Sequence, residues 1–287
     1  QDYYEGKEFV ITAMGNSKKN VYRSMPVLNG KKTSEQAISV PEGNGILPSV
    51  TLSFFEYQTF TVKGVTFNMV TVKGGTFTMG ATPEMKDSHG YEKPAHKVTP
   101  TNDYYIDRTE VTQALWKAVM GNNPSWFKGD NLPVESVSWD DCQEFISKLN
   151  SITGHNFRLP TEAEWEFAAR GGNNSKHYQY SGSNNIDDVA WYENNSGDKT
   201  HPVASKQPNE LGIYDMTGNV WECCSDWSGD YSSSSQTNPT GPSSGSGRVF
   251  RGGSWCNYAS GCRSSLRNSF APVDSNYYLG LRLVLVP

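Results

Sequence analysis

Hydrophobic and polar residues alternate over two neighbouring decapeptides that are nearly copies of each other, TVKGVTFNMV (61–70) and TVKGGTFTMG (71–80). Alternation with a period of two residues is typical of a strand with one buried face. Lysine is followed by glycine at the same place in both copies, at Gly64 and Gly74, and such glycines favour bends. The pattern predicts two strands that pair as a hairpin and begin the main domain.

Three later segments have the period of a helix. The first lies between 103 and 120, with Thr109 as its expected N-cap. The second is expected to begin near Ser138 and to end at Gly154, and the third begins after Thr161, where Glu164 completes a capping box. The expected buried positions are Val111, Leu115, Ala118 and Val119 in the first helix and Cys142, Phe145, Ile146 and Leu149 in the second. On the third helix, Glu162, Glu164 and Glu166 are expected to cap the helix or to face solvent.

The remaining segments lack a long period. Residues 1–60 are polar and punctuated by Pro and Gly, which favours loops and short strands, including a strand within TLSFFEYQTF (51–60). We interpret 1–60 as an N-terminal appendage or small β-subdomain, and 61–287 as the main domain. Residues 173–210 are irregular and rich in Ser, Asn, Asp and Gly. The expected fold class is α+β, rich in loops, with few short strands and about three helices.

Composition narrows the function. The net charge of −5 argues against nucleic acid or an anionic membrane as the partner. No apolar run reaches the roughly 18 residues that a membrane span requires. The five cysteines form no CxxC pair, which argues against a zinc site. Because the chain begins at Gln1, we expect that a signal segment was removed and that the protein is secreted or on the surface of a bacterial cell.

In the C-terminal segment, residues 248–287, two kinds of residue alternate. A frame of Arg, Gly, Trp and Leu residues runs from Arg251 to Trp255 and from Leu279 to Val284, with Ala259, Arg263 and Arg267 between them. Short clusters of Tyr, Asn, Ser and Gly fill the gaps, and these residues are enriched in paratopes. We expect the three arginines Arg263, Arg267 and Arg282 to brace the loops, and Trp221 and Trp255 to lie in the core. The predicted ligand-binding residues are Cys256, Asn257, Tyr258, Ser260, Ser264, Asn268, Phe270, Asp274, Asn276, Tyr277 and Tyr278, and of these we expect the four aromatic ones to be exposed.

A tight turn in GIYDMTGNVWECCSDW (212–227) places two carboxylates, Asp215 and Glu222, around Gly218. Carboxylate and carbonyl oxygens suit a hard cation, and calcium above all. The turn is therefore a candidate calcium site.

Six ordered motifs resemble the formylglycine-generating enzyme / sulfatase-modifying factor family, whose fold is a variant of the C-type lectin fold. They are GGTFTMG, YIDRTEVT, RLPTEAEWEFAARGG, GIYDMTGNVWE, RGGSW and LGLRL, and together they span about 61–287. The resemblance implies a structural calcium ion bound by the side chains of Asp215 and Glu222 and the carbonyls of Gly218 and Val220.

The family resemblance also implies a catalytic alternative. The family enzyme oxidises a sulfatase cysteine to formylglycine with O₂ and a copper ion held by two cysteine thiolates. Matched to those motifs, Ser254 and Trp221 fall on active-site positions and Cys262 falls on the second copper cysteine. Asn257 stands at the place of the first copper cysteine, and Cys256 is one residue early. A shift of one residue in an extended segment turns a side chain to the other face.

The segment is most similar to the variable proteins of diversity-generating retroelements, in which adenines between RGGSW and LGxRL are mutagenised. From Cys256 to Tyr278 the chain contains no Lys, Glu, Gln, Met or Trp, the residues that codons ending in C do not encode. We therefore expect a non-catalytic binding protein. A protein ligand is more consistent with the sequence than a carbohydrate, since neither an EPN nor a QPD motif is present.

Overall fold

The structure is a computed structural model. It describes residues 57–286 throughout and, before them, the backbone of eight strands between Glu8 and Ser53. The chain divides into two compact units, Gln1–Tyr57 and Gln58–Pro287.

The first unit contains four nested antiparallel strand pairs. Strand β1 pairs with β8, β2 with β7, β3 with β6 and β4 with β5. The register of β3 and β6, for example, joins Asn20 to Val40 and Ser24 to Gln36. The strands are β1 (Glu8–Ile11), β2 (Met14–Gly15), β3 (Asn20–Ser24), β4 (Val27–Leu28), β5 (Lys31–Lys32), β6 (Gln36–Val40), β7 (Gly45–Ile46) and β8 (Val50–Ser53).

The second unit combines three small sheets with four helices, so its fold is mixed α+β. The sheets have the strand orders β14-β20-β13-β10-β9, β11-β12-β16 and β18-β17-β15-β19. The strands are β9 (Tyr57–Val62), β10 (Val65–Val72), β11 (Phe77–Met79), β12 (His96–Thr99), β13 (Tyr104–Asp107), β14 (Phe157–Arg158), β15 (Trp221–Trp227), β16 (Gln236–Thr237), β17 (Arg248–Arg251), β18 (Arg267–Phe270), β19 (Leu279–Gly280) and β20 (Val284–Leu285), and the helices are α1 (Gln113–Met120), α2 (Trp139–Thr153), α3 (Glu162–Ala169) and α4 (Ile186–Val189).

The bend expected at Gly64 is confirmed, but the two decapeptide copies do not form the two strands of one hairpin. Strands β9 and β10 are neighbours, and they turn at Lys63-Gly64, where both residues have positive φ. The turn therefore lies inside the first copy, and β11, from the second copy, pairs with β12 instead. The strand expected over 51–60 is divided between β8 and β9, and residues 54–56 lie outside the described residues.

Helix α2 is confirmed at both ends, with a capping box between Ser138 and Asp141 and a left-handed Gly154 at its end. The capping box of α3, between Thr161 and Glu164, is also confirmed. The first helix begins later than expected. Its N-cap is Thr112, which accepts a hydrogen bond from the Leu115 amide, whereas the Thr109 hydroxyl donates to the Glu110 carbonyl.

The main hydrophobic core lies where α1 and α2 pack together and meet the strands. The Trp116 ring stacks on Phe145 with 4.8 Å between ring centroids. Strand β20, near the C-terminus, lies between β13 and β14, so the last strand of the chain is an interior strand of the five-stranded sheet. In the four-stranded sheet, β17, β18 and β19 all come from the C-terminal segment. No helix among the described residues is both long and apolar enough to cross a bilayer.

Candidate ligand-binding face

The frame of the C-terminal segment begins at Arg251, which is completely buried on β17. Its guanidinium forms ion pairs with Glu162 and Glu166 and donates to the carbonyls of Ser264 (2.7 Å) and Ser265 (3.2 Å). Burial alone would lower the pKa of Arg251, but Glu166 and the neighbouring acidic groups hold that pKa above its ordinary value. One buried cation thus fixes the backbone at 264–265.

Glu162 and Glu166 do not face solvent as predicted. Both are buried on α3, and Arg267 forms two bonds of 2.7 Å to the Glu162 carboxylate. Arg170 donates to Glu166 at 2.8 Å. A buried carboxylate requires a partner, and the sequence interpretation failed here because Arg251 and Arg267 are far away in the chain, although Arg170 is only four residues from Glu166.

Arg263 and Arg282 are also completely buried, and each faces one carboxylate in a two-bonded arrangement. Arg263 binds Glu92 at 2.6 and 2.9 Å, and Arg282 binds Glu222 at 2.6 and 2.9 Å. Their remaining N–H groups donate to backbone carbonyls, including those of Asp87 and Asp107. The expectation that Arg263, Arg267 and Arg282 brace the loop-rich region is confirmed.

Two glycines of the RGGSW motif allow its backbone to approach residues 261–262 closely. Gly252 and Gly253 have φ of +97° and +75°. A Cβ atom on Gly253 would lie 2.6 Å from the Gly261 carbonyl oxygen and 2.7 Å from the Cys262 Sγ. The RGGSW motif therefore packs its backbone directly against the segment that ends at Cys262.

The predicted binding residues divide by exposure. Exposed positions are Cys256, Tyr258, Ser260, Asn268, Asp274 and Tyr277, and half-buried ones are Asn257, Phe270, Asn276 and Tyr278. Ser264 is completely buried and is not available to a ligand, which corrects that prediction. The exposure expected for the aromatic residues is confirmed for Tyr258, at 70%, and for Tyr277, at 45%. It is wrong for Phe270 and Tyr278, which are half-buried.

Aromatic rings connect the distant parts of this segment. Trp255, which is buried as expected, lies 5.7 Å from Tyr277 and donates from its Nε1 to the Tyr277 carbonyl. The Tyr277 and Tyr278 rings are 5.5 Å apart, and Tyr278 is 6.2 Å from Phe270. Burial and then the nearby Cys256 thiol raise the pKa of Tyr278. The rings of Trp255, Tyr277, Tyr278 and Phe270 thus form a chain of contacts, with Cys256 next to Trp255, and we call this group the aromatic face.

Sequence reasoning missed one neighbour of the aromatic face. Trp126 is 73% exposed, and the ring of the next residue, Phe127, meets Trp255 edge-to-face at 5.6 Å. The signal in the sequence was a Trp-Phe pair inside a polar, Pro- and Gly-containing stretch, NNPSWFKGDN (122–131). Val273, also 73% exposed, was missed as well.

The two cysteines of the oxidase alternative differ in their exposure to solvent. Cys262 is completely buried beside Tyr180, Ile186 and Tyr192, and burial raises the pKa of its thiol to about 12. Cys256 is exposed, with its Sγ 3.3 Å from the Ser254 Oγ. Trp221 is buried in the main core. A copper(I) site requires two thiolates, and a neutral thiol packed in an apolar cluster does not fit that requirement.

The candidate calcium ligands Asp215 and Glu222 are both buried. Glu222 accepts bonds from Arg282 and, at 2.6 Å, from Trp165 Nε1, and Asp215 accepts one from the Ala204 amide at 2.7 Å. Glu110, a third buried carboxylate, influences Asp215 and the same arginine. Burial and nearby Glu222 raise the pKa of Asp215 to about 6, despite the Ala204 bond and Arg282.

Burial favours the protonated form of Asp215 and of Glu110, whose pKa is raised well above its ordinary value, and a bound cation would displace these protons. Carboxylate oxygens are ligands that calcium prefers, so the donor chemistry fits calcium. Glu222 would have to share its oxygens with Arg282. Within 57–286, no three His, Cys, Asp or Glu side chains converge as a metal-binding group, so the backbone carbonyls of Gly218 and Val220 would have to complete the set.

Comparison with known proteins gives relatives of two kinds. The chain is 35% identical to the chaperone protein LppX of Paenibacillus barcinonensis over 233 aligned residues, 64% of this chain and 80% of the relative. It is 36% identical to the formylglycine-generating enzyme of Streptomyces coelicolor over 190 residues, 60% of this chain and 58% of that enzyme. The chain therefore spans little more than half of the enzyme's length.

Two solved structures are also similar to this chain. Treponema denticola variable protein 1 superposes with a TM-score of 0.75 at 35% identity, over 80% of this chain and 99% of that one. PvdO from Pseudomonas aeruginosa follows with a TM-score of 0.64 at 27% identity, over 77% of this chain and 94% of that one. Residues 56–286 match the family described as the sulfatase-modifying factor enzyme 1-like domain. The chain belongs to this family, and its second unit has the family's C-type-lectin-like α+β fold.

Proposed function

We propose that this protein is a non-catalytic ligand-binding protein, displayed or secreted by a bacterial cell, whose segment 256–278 forms a diversified binding face. The proposal rests on the difference in burial between two sets of residues within that segment. Frame residues such as Arg263 and Arg267 are buried and fixed by carboxylates, whereas Tyr258, Asn268 and Tyr277 are exposed between them. A rigid frame lowers the entropy cost of presenting variable side chains.

The similarity to Treponema denticola variable protein 1 supports this proposal, because it extends over nearly that whole chain at 35% identity. The absence of Lys, Glu, Gln, Met and Trp from 256–278 supports diversification of the segment. A formylglycine-generating oxidase is the second candidate, favoured by identity to that enzyme. The buried Cys262 and its raised pKa are less favourable to that candidate.

A randomised library tests the proposal. One library varies Tyr258, Ser260, Asn268, Asp274 and Tyr277 together, and a matched library varies five buried positions: Arg251, Gly253, Arg263, Ser264 and Arg267. We expect most members of the first library to fold and to yield binders of hen egg-white lysozyme, used as an arbitrary protein target. The second library should yield mostly unfolded chains. Equal loss of folding in both libraries would refute the binding face.

The enzymatic candidate requires its own assay. A sulfatase peptide carrying the target cysteine is incubated with the protein, Cu(I) and O₂, and aldehyde formation is measured by mass spectrometry. We expect no turnover by the wild type. Turnover that is lost in both Cys256→Ser and Cys262→Ser would establish the oxidase instead.

A further inference from the structure

A recess in the protein surface lies outside the segment 256–278. It is a cleft of about 320 Å³ between the 127–132 loop and the 199–202 loop. Two lysines and a histidine contribute to its walls, and none of its lining residues is acidic. The lining residues are Phe127, Lys128, Leu132, Lys199, Thr200, His201 and Pro202. In a chain with a net charge of −5, this is a locally basic site.

The cleft adjoins the aromatic face through a shared ring. Phe127 lines the cleft, and the same ring contacts Trp255 at 5.6 Å. Trp255 in turn contacts Tyr277 at 5.7 Å. A ligand that covers the aromatic face would therefore reach the cleft within the breadth of an ordinary protein interface.

The walls of the cleft are held in place before any ligand binds. The His201 amide donates to Asn219 Oδ1 at 2.9 Å, and the imidazole stacks on Trp191 with 3.7 Å between ring centroids. The Val203 amide donates to the Asn131 carbonyl at 3.0 Å, which joins the two loops. A preformed site of this kind loses little entropy on binding.

Among the residues that the structure describes, the ammonium groups of the cleft have no acidic side chain within ion-pair distance, and Lys128 acts on the buried Glu135 carboxyl only from beyond that distance. Within residues 57–286, neither Lys128 nor Lys199 forms an ion pair, and Lys128 Nζ donates to the Asn123 carbonyl at 3.0 Å. Thr200 is only 3% exposed, and its hydroxyl has no hydrogen-bond partner in the described structure. A buried polar group without a partner is rare and costly, so this hydroxyl is an observation, independent of charge, that points to a ligand.

We propose that this cleft binds a carboxylate of an acidic segment in the protein ligand, with Lys128, Lys199 and the Thr200 hydroxyl as donors. The inference rests on the proposed function, since it names the kind of ligand surface that the aromatic face would meet. Ammonium groups and a hydroxyl complement a carboxylate in charge and in hydrogen bonding.

The experiment uses hexaglutamate as the probe and the full chain labelled with ¹⁵N. We expect saturable shifts of the amide signals of Lys128, Lys199, Thr200 and His201, and no such shifts with hexaglutamine. Lys128→Gln and Lys199→Gln should each weaken binding about threefold to fivefold, as expected for partly exposed charge pairs. Lys97→Gln, an exposed lysine on β12 outside the cleft, is the matched control and should leave the affinity unchanged.

Thr200→Ser retains the hydroxyl and should bind as the wild type does, whereas Thr200→Val should bind more weakly. Equal losses in Lys97→Gln and Lys199→Gln would show non-specific attraction and overturn the proposal, as would shifts that do not saturate. Tighter binding of inorganic phosphate at the same amides would overturn the assignment to a carboxylate. Because hexaglutamate is not selected by the aromatic face, these results stand or fall separately from the library experiment on 258–277.

Discussion

At the scale of single residues, buried arginine–carboxylate pairs hold the frame of the C-terminal segment in place. Arg263 and Glu92 are both inaccessible to solvent and make two direct bonds. Ser265 adds a bond of 2.6 Å to the same carboxylate. Each guanidinium also holds backbone carbonyls, so loss of one side chain removes both an ion pair and a loop anchor.

Arg263→Met should lower the free energy of unfolding by about 3–5 kcal/mol, because it leaves the Glu92 carboxylate buried without its cation. Chemical denaturation measures this change. The matched control is Arg158→Met, whose pair with Glu164 is partly exposed, at 38% and 15%, and which should cost about 1 kcal/mol or less. Similar losses in the two variants would contradict the view that burial makes the Arg263 pair critical.

At the scale of elements, sequence patterns predicted local features and missed distant ones. The caps of α2 and α3 were predictable because Ser138 and Thr161 bond to residues three positions away. The burial of Glu162 was not predictable, since its partners Arg251 and Arg267 lie 89 and 105 residues further along the chain. Likewise, the duplicated decapeptides predicted the bend at Gly64, which the structure confirms. They did not predict the strand partners, because β10 pairs with β13 and β11 pairs with β12.

In the candidate site too, local features were predicted from the sequence and features that depend on distant residues were missed. The alternation of buried frame residues with exposed Tyr, Asn and Ser residues was predicted from the sequence, and so was the exposure of Tyr258 and Tyr277. Ser264 looked like any other serine, but its place behind Arg251 buries it. Trp126 and the basic cleft arise from loops that meet only in the folded chain.

The junction between β17 and the following loop gives a prediction for Gly253. Gly253→Ala should destabilise the protein strongly, because its φ is positive and the new methyl group would meet the Gly261 carbonyl and Cys262. Gly121→Ala is the control, since Gly121 has φ of +83° but open space around it. We expect Gly253→Ala to cost at least about 2 kcal/mol more than Gly121→Ala in thermal or chemical denaturation. Equal costs would show that backbone conformation alone matters there.

The start of helix α3 gives a pH-dependent prediction. Asp226 accepts a bond from the Glu162 amide at 3.0 Å, and burial, followed by the Glu162 charge, raises the pKa of Asp226 from 3.8 to about 7. The folded state therefore holds this proton more tightly than the unfolded state does. The contribution of Asp226 to stability is present below about pH 4 and is lost as the pH rises to about 7.

Asp226→Asn keeps an oxygen that accepts the Glu162 amide but carries no charge. The free energy of unfolding of the variant relative to the wild type should therefore increase steadily between pH 4 and pH 7.5. Denaturation at a series of pH values measures this difference, and Asp274→Asn, at an exposed position, serves as the control. A difference that is constant over this range would contradict a raised pKa at Asp226.

At the scale of the whole molecule, the buried carboxylates of residues 57–286 differ in how far arginines compensate their charge. The Glu92, Glu162 and Glu166 carboxylates each face one or two arginines. Glu110 and Asp215, in contrast, both depend for positive charge on Arg282, which also forms an ion pair with Glu222. Asp215 and Glu222 lie on either side of the start of β15, one of the two inner strands of the four-stranded sheet, so an ion bound there would support the sheet that carries the proposed binding face.

We therefore expect calcium to raise the thermal stability of the wild type. An ion present at about 100 times its dissociation constant adds about 2.7 kcal/mol to the free energy of unfolding. Calorimetry in EDTA and in excess Ca²⁺ should show a higher Tm with Ca²⁺, and Mg²⁺ should be less effective because it requires a more rigid octahedral set of ligands. Asp215→Ala should abolish the difference between the two buffers, whereas Asp187→Ala, on α4 and outside the turn, should preserve it. An identical Tm in EDTA and in Ca²⁺ for the wild type would mean that Arg282 alone balances these carboxylates and that the site holds no calcium.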